Sequence, residues 1–195
     1  TADNTDNLTL KSTDTDADIG PNLRLYRAVA GAASDAIGTI DWAAQDAGGG
    51  LTDYASAAVT ITDATDGNED ATLTLKVMNA GSLNQMLTIS GPETVVNEGS
   101  KDHDFRVESN GNANMLFVDG GNDSIGIGTS SPSSYNSSAD DLVIANTGHS
   151  GITIASGTSS SGGIFFADGT SGDTQYRGTI QYNHTNDFMV FGTTG

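Results

Sequence analysis

Carboxylates at alternate positions are the strongest candidates in this chain for binding a cation. Asp14, Asp16 and Asp18, in the segment TDTDADIG, have the spacing with which calcium-binding loops begin. An EF-hand loop also needs glycine at its sixth position and a bidentate glutamate at its twelfth, and here those positions hold Ile19 and Leu25. We therefore interpret the segment as a polar turn, with cation binding outside the EF-hand pattern as the alternative.

Two further polar segments are weaker candidates for a cation site. Asp63 and Asp66 lie in DATDGNED, where the Asp-Gly step predicts a hairpin turn and by itself accounts for the acidic residues. His184 lies in QYNHTNDF, and a histidine site there would need three chains that each contribute one imidazole around an axis. We expect no cofactor, and Ca²⁺ or another cation at these loops is the alternative.

The chain lacks the sequence patterns of nucleophilic and metal-assisted catalysis. It has no cysteine, no G-x-S-x-G segment and no H-E-x-x-H pair, and His103, His149 and His184 lie in separate segments. Glycoside hydrolysis needs two carboxylates at a set distance in space, and among 25 acidic residues the sequence favours no pair. We therefore expect that the protein is not an enzyme.

The charge of the chain argues against nucleic acid as a partner. The formal net charge is −18, from 25 acidic and 7 basic residues, and the basic residues are scattered. Binding to phosphates needs a basic stripe, which this sequence does not have. No run of about 18 apolar residues occurs, so we expect no membrane insertion. The N-terminus also lacks the basic and apolar regions of an export signal.

The composition is too lean for a compact monomer core. Hydrophobic residues make up 35% and aromatic residues 6% of the 195 residues, and 25 glycines are spread along the chain. Small or lean domains commonly compensate by burying apolar surface between chains. We therefore expect an oligomer.

Short alternating segments bounded by Asp, Gly and Asn predict an all-β protein. Residues 28–36, AVAGAASDA, are interpreted as a loop, because Gly31 and the lack of an apolar stripe argue against a helix. Gly91-Pro92 and the polar connector after Pro132 predict boundaries between a small β domain at 1–91, a slender β shaft at 92–132 and a second small β domain at 133–195. The predicted strands are 7–11, 22–27, 38–42, 54–62, 71–78, 85–90, 93–97, 104–109, 114–119, 124–128, 142–146, 151–155, 163–167, 177–183 and 187–192.

The segment FRVESNGNANMLFVDGGNDSIGIGTSSP, residues 105–132, joins period-two strands through tight turns. Asn110-Gly111 and Gly120-Gly121-Asn122 are expected to supply the positive-φ residues of these reversals. Gly126 and Gly128 lack the lysine and the following helix of a phosphate loop, so we interpret them as points of close backbone approach.

This segment resembles one that is common in the tail-fibre proteins of bacteriophages, especially marine phages. The resemblance covers about 28 of the 195 residues. Looser similarity to modules of the same fibres extends to NLTLKSTDTDADIGPNLRLYR and DATDGNED before it, and to FFADGTSGDTQYRGTIQYNH after it. Fibres of this type often continue past such modules into more repeats and a self-cleaving C-terminal chaperone. The start at Thr1 without Met is what we expect of a processed protein or of a piece of a longer one.

The resemblance implies an elongated, intertwined parallel homotrimer, with small β domains joined by a β-helical or β-prism-like shaft. It implies a structural virion component that supports host attachment, located in the tail of the particle. Its partners would be copies of itself, other virion tail proteins and host surface polysaccharide. The predicted residues of the trimer core are Val107, Leu116, Phe117, Ile125 and Ile127.

Two other functions share the β-rich oligomer. A carbohydrate-binding or depolymerising tailspike would use acidic residues together with rings such as Trp42 or Tyr182 that stack on sugars. A cellular surface adhesin or filament would need export, for which the sequence shows no signal.

Overall fold

The computed structural model describes residues 8–13, 15 and 20–193, and within these ranges the protein is all-β. Its twelve strands form three sheets of five, four and three strands. The described residues contain no α-helix, only two 3₁₀ helices at Pro132–Ser134 and Gly172–Tyr176. The strands are β1 (Ala36–Gln45), β2 (Leu51–Asp63), β3 (Asp70–Asn79), β4 (Ser82–Ile89), β5 (Thr94–Val96), β6 (Phe105–Val107), β7 (Leu116–Asp119), β8 (Ser124–Ile127), β9 (Leu142–Ile144), β10 (Ser161–Phe166), β11 (Gly178–Asn183) and β12 (Phe188–Thr193).

The five-stranded sheet is an antiparallel meander in the order β1-β2-β3-β4-β5. Its turns are set by local chemistry. Asp46 Oδ1 accepts hydrogen bonds from the backbone N–H groups of Gly48 at 2.8 Å and Gly50 at 2.9 Å, which closes the β1–β2 turn. Ala80 and Gly81 both have positive φ, of 48° and 79°, as a two-residue turn requires when its twist matches the strands.

The four-stranded sheet has the order β6-β7-β8-β9, with β8 and β9 parallel. One of its faces is closed: Phe117 and Val143 are each only 7% exposed, and Pro132 is fully buried. The closed face also contains Gly126, which pairs with Phe117 on one side and Val143 on the other. Phe117 and Val143 are the buried hydrophobic residues of the described chain, so this small cluster is its core.

Asp119 holds the β7–β8 hairpin together. Its Oδ1 accepts hydrogen bonds from the backbone N–H groups of Gly121 at 3.2 Å and Asn122 at 3.0 Å, and the Asn122 amide donates to both carboxylate oxygens. The positive φ in this turn belongs to Asp123, at 54°, and not to the glycines. None of the residues predicted to adopt positive φ, Asn110-Gly111 and Gly120-Gly121-Asn122, does so, and that prediction is wrong.

The glycines of this sheet serve close backbone approach, as predicted for Gly126 and Gly128. A Cβ on Gly126 would lie 2.3 Å from the carbonyl oxygen of Thr129, and one on Gly128 would lie 2.1 Å from that of Ala145. Gly120 has the same constraint, because a Cβ there would lie 2.4 Å from the carbonyl oxygen of His103. Only Gly128 combines such contact with positive φ, of 80°.

The three-stranded sheet is antiparallel, in the order β10-β11-β12. The 3₁₀ helix Gly172–Tyr176 lies between β10 and β11. Arg177, which follows it, pairs with Asp168 at 3.4 Å and with Asp173 at 3.2 Å. These exposed ion pairs orient the connection and contribute little to stability.

Most predicted strands are confirmed, and three are not. Residues 8–11, 22–27 and 151–155 have the expected alternation but form no ladder in the described chain. Alternation places apolar side chains on one face of a strand, but it supplies no partner strand. The loop prediction for residues 28–36 is confirmed as far as Asp35, and Ala36 begins β1.

The sheets are divided at other points than the predicted domain boundaries. Gly91-Pro92 lies in a turn, closed by a hydrogen bond from Ser90 N–H to the Glu93 carbonyl at 2.9 Å, and β5 beyond it belongs to the first sheet. The connector after Pro132 likewise leads back into the second sheet, where Val143 fills the closed face. The sheets therefore span residues 36–96, 105–144 and 161–193.

Substitution of Gly128 by alanine tests the close approach. We expect Gly128→Ala to lower the free energy of unfolding by about 2 kcal/mol or more, because a Cβ would clash with a backbone carbonyl at a positive φ. Gly111→Ala is the matched control, with no atom within 4 Å of the new Cβ and a change of about 0.5 kcal/mol or less. Urea unfolding at fixed chain concentration measures both, and equal effects of the two substitutions would contradict the prediction.

Candidate assembly surface

The strand register places eight apolar side chains on one face of the four-stranded sheet, which we call the open face. Directly opposed residues share a face, and so do alternate residues of one strand. No side chain of this set is charged, and each of the four strands contributes two of them. The open face consists of Phe105, Val107, Leu116, Val118, Ile125, Ile127, Leu142 and Ile144.

These side chains are accessible to solvent in the single chain. Val107 is 43%, Ile125 38%, Ile127 40% and Leu142 53% exposed, against 7% for Phe117 on the closed face. Complete burial of an aliphatic side chain is worth about 1.5–3 kcal/mol, and the single chain realises only part of it here. The open face is therefore an unpartnered sheet face of the kind that marks an interaction site.

The five residues predicted for a trimer core lie on both faces of this sheet. Val107, Leu116, Ile125 and Ile127 belong to the open face. Phe117 belongs to the closed face and is buried within its own chain. The structure adds Phe105, Val118, Leu142 and Ile144 as neighbours of the first four. Alternation within the predicted strands indicates Phe105 and Val118, whereas Leu142 and Ile144 join the face only through the pairing of β8 with β9.

The five-stranded sheet has the same two-faced design. One row across it joins Ile40, Ala57, Leu75, Leu87 and Val96, all apolar. The row beside it on the opposite face joins three threonines, one alanine and one valine. That row consists of Thr39, Ala58, Thr74, Thr88 and Val95.

Large side chains on the apolar face of the five-stranded sheet are partly exposed to solvent. Ile40 is 44%, Trp42 56%, Leu73 36% and Val77 45% exposed. Two of the sheet's best-buried residues are instead Ser56, at 9%, and Thr74, at 8%, on the polar face. A sheet of a soluble monomer shows the reverse, with its apolar face buried.

The three-stranded sheet repeats the arrangement at smaller scale. Ile164, Ile180 and Phe191 form one row on a face that also contains Phe166 and Met189. Phe191 is 74%, Phe166 56%, Met189 52% and Ile164 46% exposed. Each of the three sheets thus leaves part of an apolar face exposed in the described chain.

The total accessible surface of the chain is also larger than that of a compact monomer. The chain exposes 14402 Å². A compact monomer of its mass, 19.9 kDa, is expected to expose about 8,700 Å². The chain therefore exposes about 5,700 Å² more than a compact monomer of its mass would.

The candidate cation residues do not form a metal centre in the described part of the chain. Asp14, Asp16 and Asp18 lie outside the described residues. Asp63 and Asp66 lie at the β2–β3 turn, and no group of three or more His, Asp or Glu side chains among the described residues could hold a metal ion.

His184 packs against an aromatic ring of its own chain. Its imidazole meets the Tyr182 ring edge to face, with 4.8 Å between the ring centroids. The Tyr182 hydroxyl donates to Asp187 Oδ1 at 3.0 Å, and this hydrogen bond to the carboxylate raises the pKa of the tyrosine. The imidazole of His184 therefore packs within its own chain.

Comparisons with protein families, with curated proteins and with solved structures each found no match. None of the helices among the described residues has the length and apolar character of a membrane span.

A pKa measurement tests the local account of Asp63. Hydrogen bonds from the Thr65 hydroxyl and backbone N–H, the latter at 2.8 Å, hold the pKa of this exposed carboxyl below its ordinary value of 3.8. Thr65→Val removes the hydroxyl and should raise the pKa of Asp63 towards 3.8. Because the folded pKa is depressed, the stabilisation is present above pH 3.8 and is lost as the pH falls through the folded pKa.

Carboxyl NMR titration checks this expectation, with Thr62→Val as the control, since Thr62 is an exposed neighbour on β2. An Asp63 pKa that is unchanged in Thr65→Val, or that falls further when Ca²⁺ is added, would contradict an assignment to Thr65 alone.

Proposed function

We propose that this chain is a segment of a virion tail fibre, a structural and non-catalytic component that supports attachment to the host cell as part of a parallel homotrimer. The observation that carries the proposal is that all three sheets leave an apolar face open. The resemblance of residues 105–132 to phage tail-fibre segments supplies the biological setting.

Copies of the same chain are the natural cover for these faces. A face of eight uncharged aliphatic and aromatic side chains needs an equally apolar partner surface, and each copy carries one. The excess accessible surface of about 5,700 Å² per chain supports the proposal, because it leaves enough area for a permanent interface.

Three copies around one axis satisfy the geometry simply. Three single-layer sheets with one apolar face each can enclose a prism-shaped core, while their polar faces stay outside. Three sheets along the chain would then form three consecutive cores, which favours an elongated particle. Other virion tail proteins, as neighbours along the fibre, and host surface polysaccharide are the further partners that we propose.

The acidic charge opposes assembly and must be offset by burial. Each copy carries a formal charge of −18, so parallel copies repel one another along the fibre. The charge does not enter the open face, since all eight of its side chains are apolar. Salt should therefore favour the oligomer by screening the outer charges.

Light scattering on a size-exclusion column tests the proposal. We expect the particle mass of three chains, and the same mass in the presence of a chelator. Dissociation by the chelator would instead assign a bound cation to the assembly, and a compact monomer would overturn the proposal.

A charge placed on the open face provides the matched test by mutation. Ile125→Asp should convert the oligomer into monomers, because each copy would bring an unpaired carboxylate into the shared core. Val29→Asp is the control, since Val29 is 64% exposed in the loop before β1 and is not on a sheet face. A mass of three chains for Ile125→Asp would exclude the open face from the interface.

A further inference from the structure

Residues 151–155, GITIA, have the sequence of a β-strand but no ladder. Ile152 and Ile154 alternate with Thr153, as in a half-buried strand. In the described chain the backbone of residues 151–155 makes no hydrogen bond, and Ile152 is 68% and Ile154 47% exposed. We call these five residues the unpaired segment.

The unpaired segment lies across the apolar faces of its own chain. A Cβ on Gly162 of β10 would lie 3.1 Å from Ile154 Cγ2, so Ile154 covers the face of the three-stranded sheet at that glycine. Ile152 lines one groove with Leu142 and Ile144 of the open face, and another with Ile164 and Met189. The isoleucine side chains thus contact the rest of the described chain, whereas the backbone N–H and C=O groups of the segment make no hydrogen bond there.

This position explains why the segment cannot pair within its own chain. Ladder hydrogen bonds lie in the plane of a sheet, whereas the segment lies over the face of β10. The Ser156 hydroxyl beside it is buried and has no hydrogen-bond partner. Buried polar atoms are nearly always paired in complete structures, so this end of the segment lacks a neighbour.

Acceptor edges for the segment are present in every copy. β9, β10 and β12 are each hydrogen-bonded on one side only. A strand with an unpaired edge is a template for a strand from another chain. β12, with the sequence FMVFGT, has neither proline nor a charged residue to block such pairing.

We propose that residues 151–155 of each copy form an additional β-strand by pairing through their backbone with an edge strand of a neighbouring copy. The inference depends on the proposed function to the extent that a second copy must be present. It adds backbone hydrogen bonds between chains to the burial of apolar faces, so that adjacent copies interlock.

Proline substitutions separate backbone pairing from apolar contact. Thr153→Pro removes an N–H that has no partner in the single chain, and it leaves both isoleucines in place. We expect it to lower the melting temperature of the oligomer by about 5 °C or more at fixed chain concentration. The loss would come from a ladder hydrogen bond that exists only between copies.

Thr158→Pro is the matched control. Thr158 follows Gly157 in a turn that is closed by a hydrogen bond from Ser160 N–H to the Gly157 carbonyl at 2.9 Å, and proline is favoured at this second position of a turn. We expect its melting temperature to stay within about 1 °C of the original. Equal effects of the two prolines, or no effect of either, would overturn the proposal.

Hydrogen exchange followed by mass spectrometry reads the same contact directly. In the oligomer the amides of residues 152–155 should exchange at least about ten-fold more slowly than those of residues 147–150, which also lie outside the strands. If the unsubstituted protein is a monomer, the proposed function fails. If it is a trimer in which the amides of residues 152–155 exchange as fast as those of residues 147–150, only the proposed strand pairing between copies fails.

Discussion

The structure depends on one constraint: the described chain covers the apolar face of each sheet only in part. A sheet with a solvent-exposed apolar face lowers the stability of the fold, because apolar burial is the main contribution that offsets the loss of chain entropy on folding. The buried hydrophobic pair Phe117 and Val143 is too small to balance that loss for a chain of this length. In the proposed assembly, burial against other copies would supply what a second layer supplies in an ordinary domain.

Glycine and short polar residues make these thin sheets possible. Gly126 and Gly128 let backbone segments approach where any Cβ would clash. The carboxylate of Asp119 accepts hydrogen bonds from the backbone N–H groups of the turn that follows it. Such contacts fix the geometry of the four-stranded sheet locally and with little apolar volume. The large side chains are thereby free to face outward on the open face, where they are available to another chain.

Much of this fold was predictable from the sequence, because alternation and turn residues report on each strand by itself. β7 and β8, with Phe117 and Ile125, follow from that pattern. The prediction of one core for both Leu116 and Phe117 does not fit that pattern, because adjacent residues of a strand point to opposite faces. The pairing of β9 with β8 could not be predicted from local pattern either. It depends on the packing of Val143 beside Phe117, which is 26 residues earlier in the chain.

The distribution of charge completes the argument for self-assembly over a polar ligand. A binding site for a charged partner concentrates charge on the surface that meets the partner. Here the open face is free of charge, while Arg106 and Asp119 lie on the opposite face of the same sheet. Repulsion between acidic copies is long-ranged and weakened by salt, whereas apolar burial is short-ranged and persists in salt. An acidic chain with uncharged faces therefore resists non-specific association and still permits the one arrangement in which those faces meet.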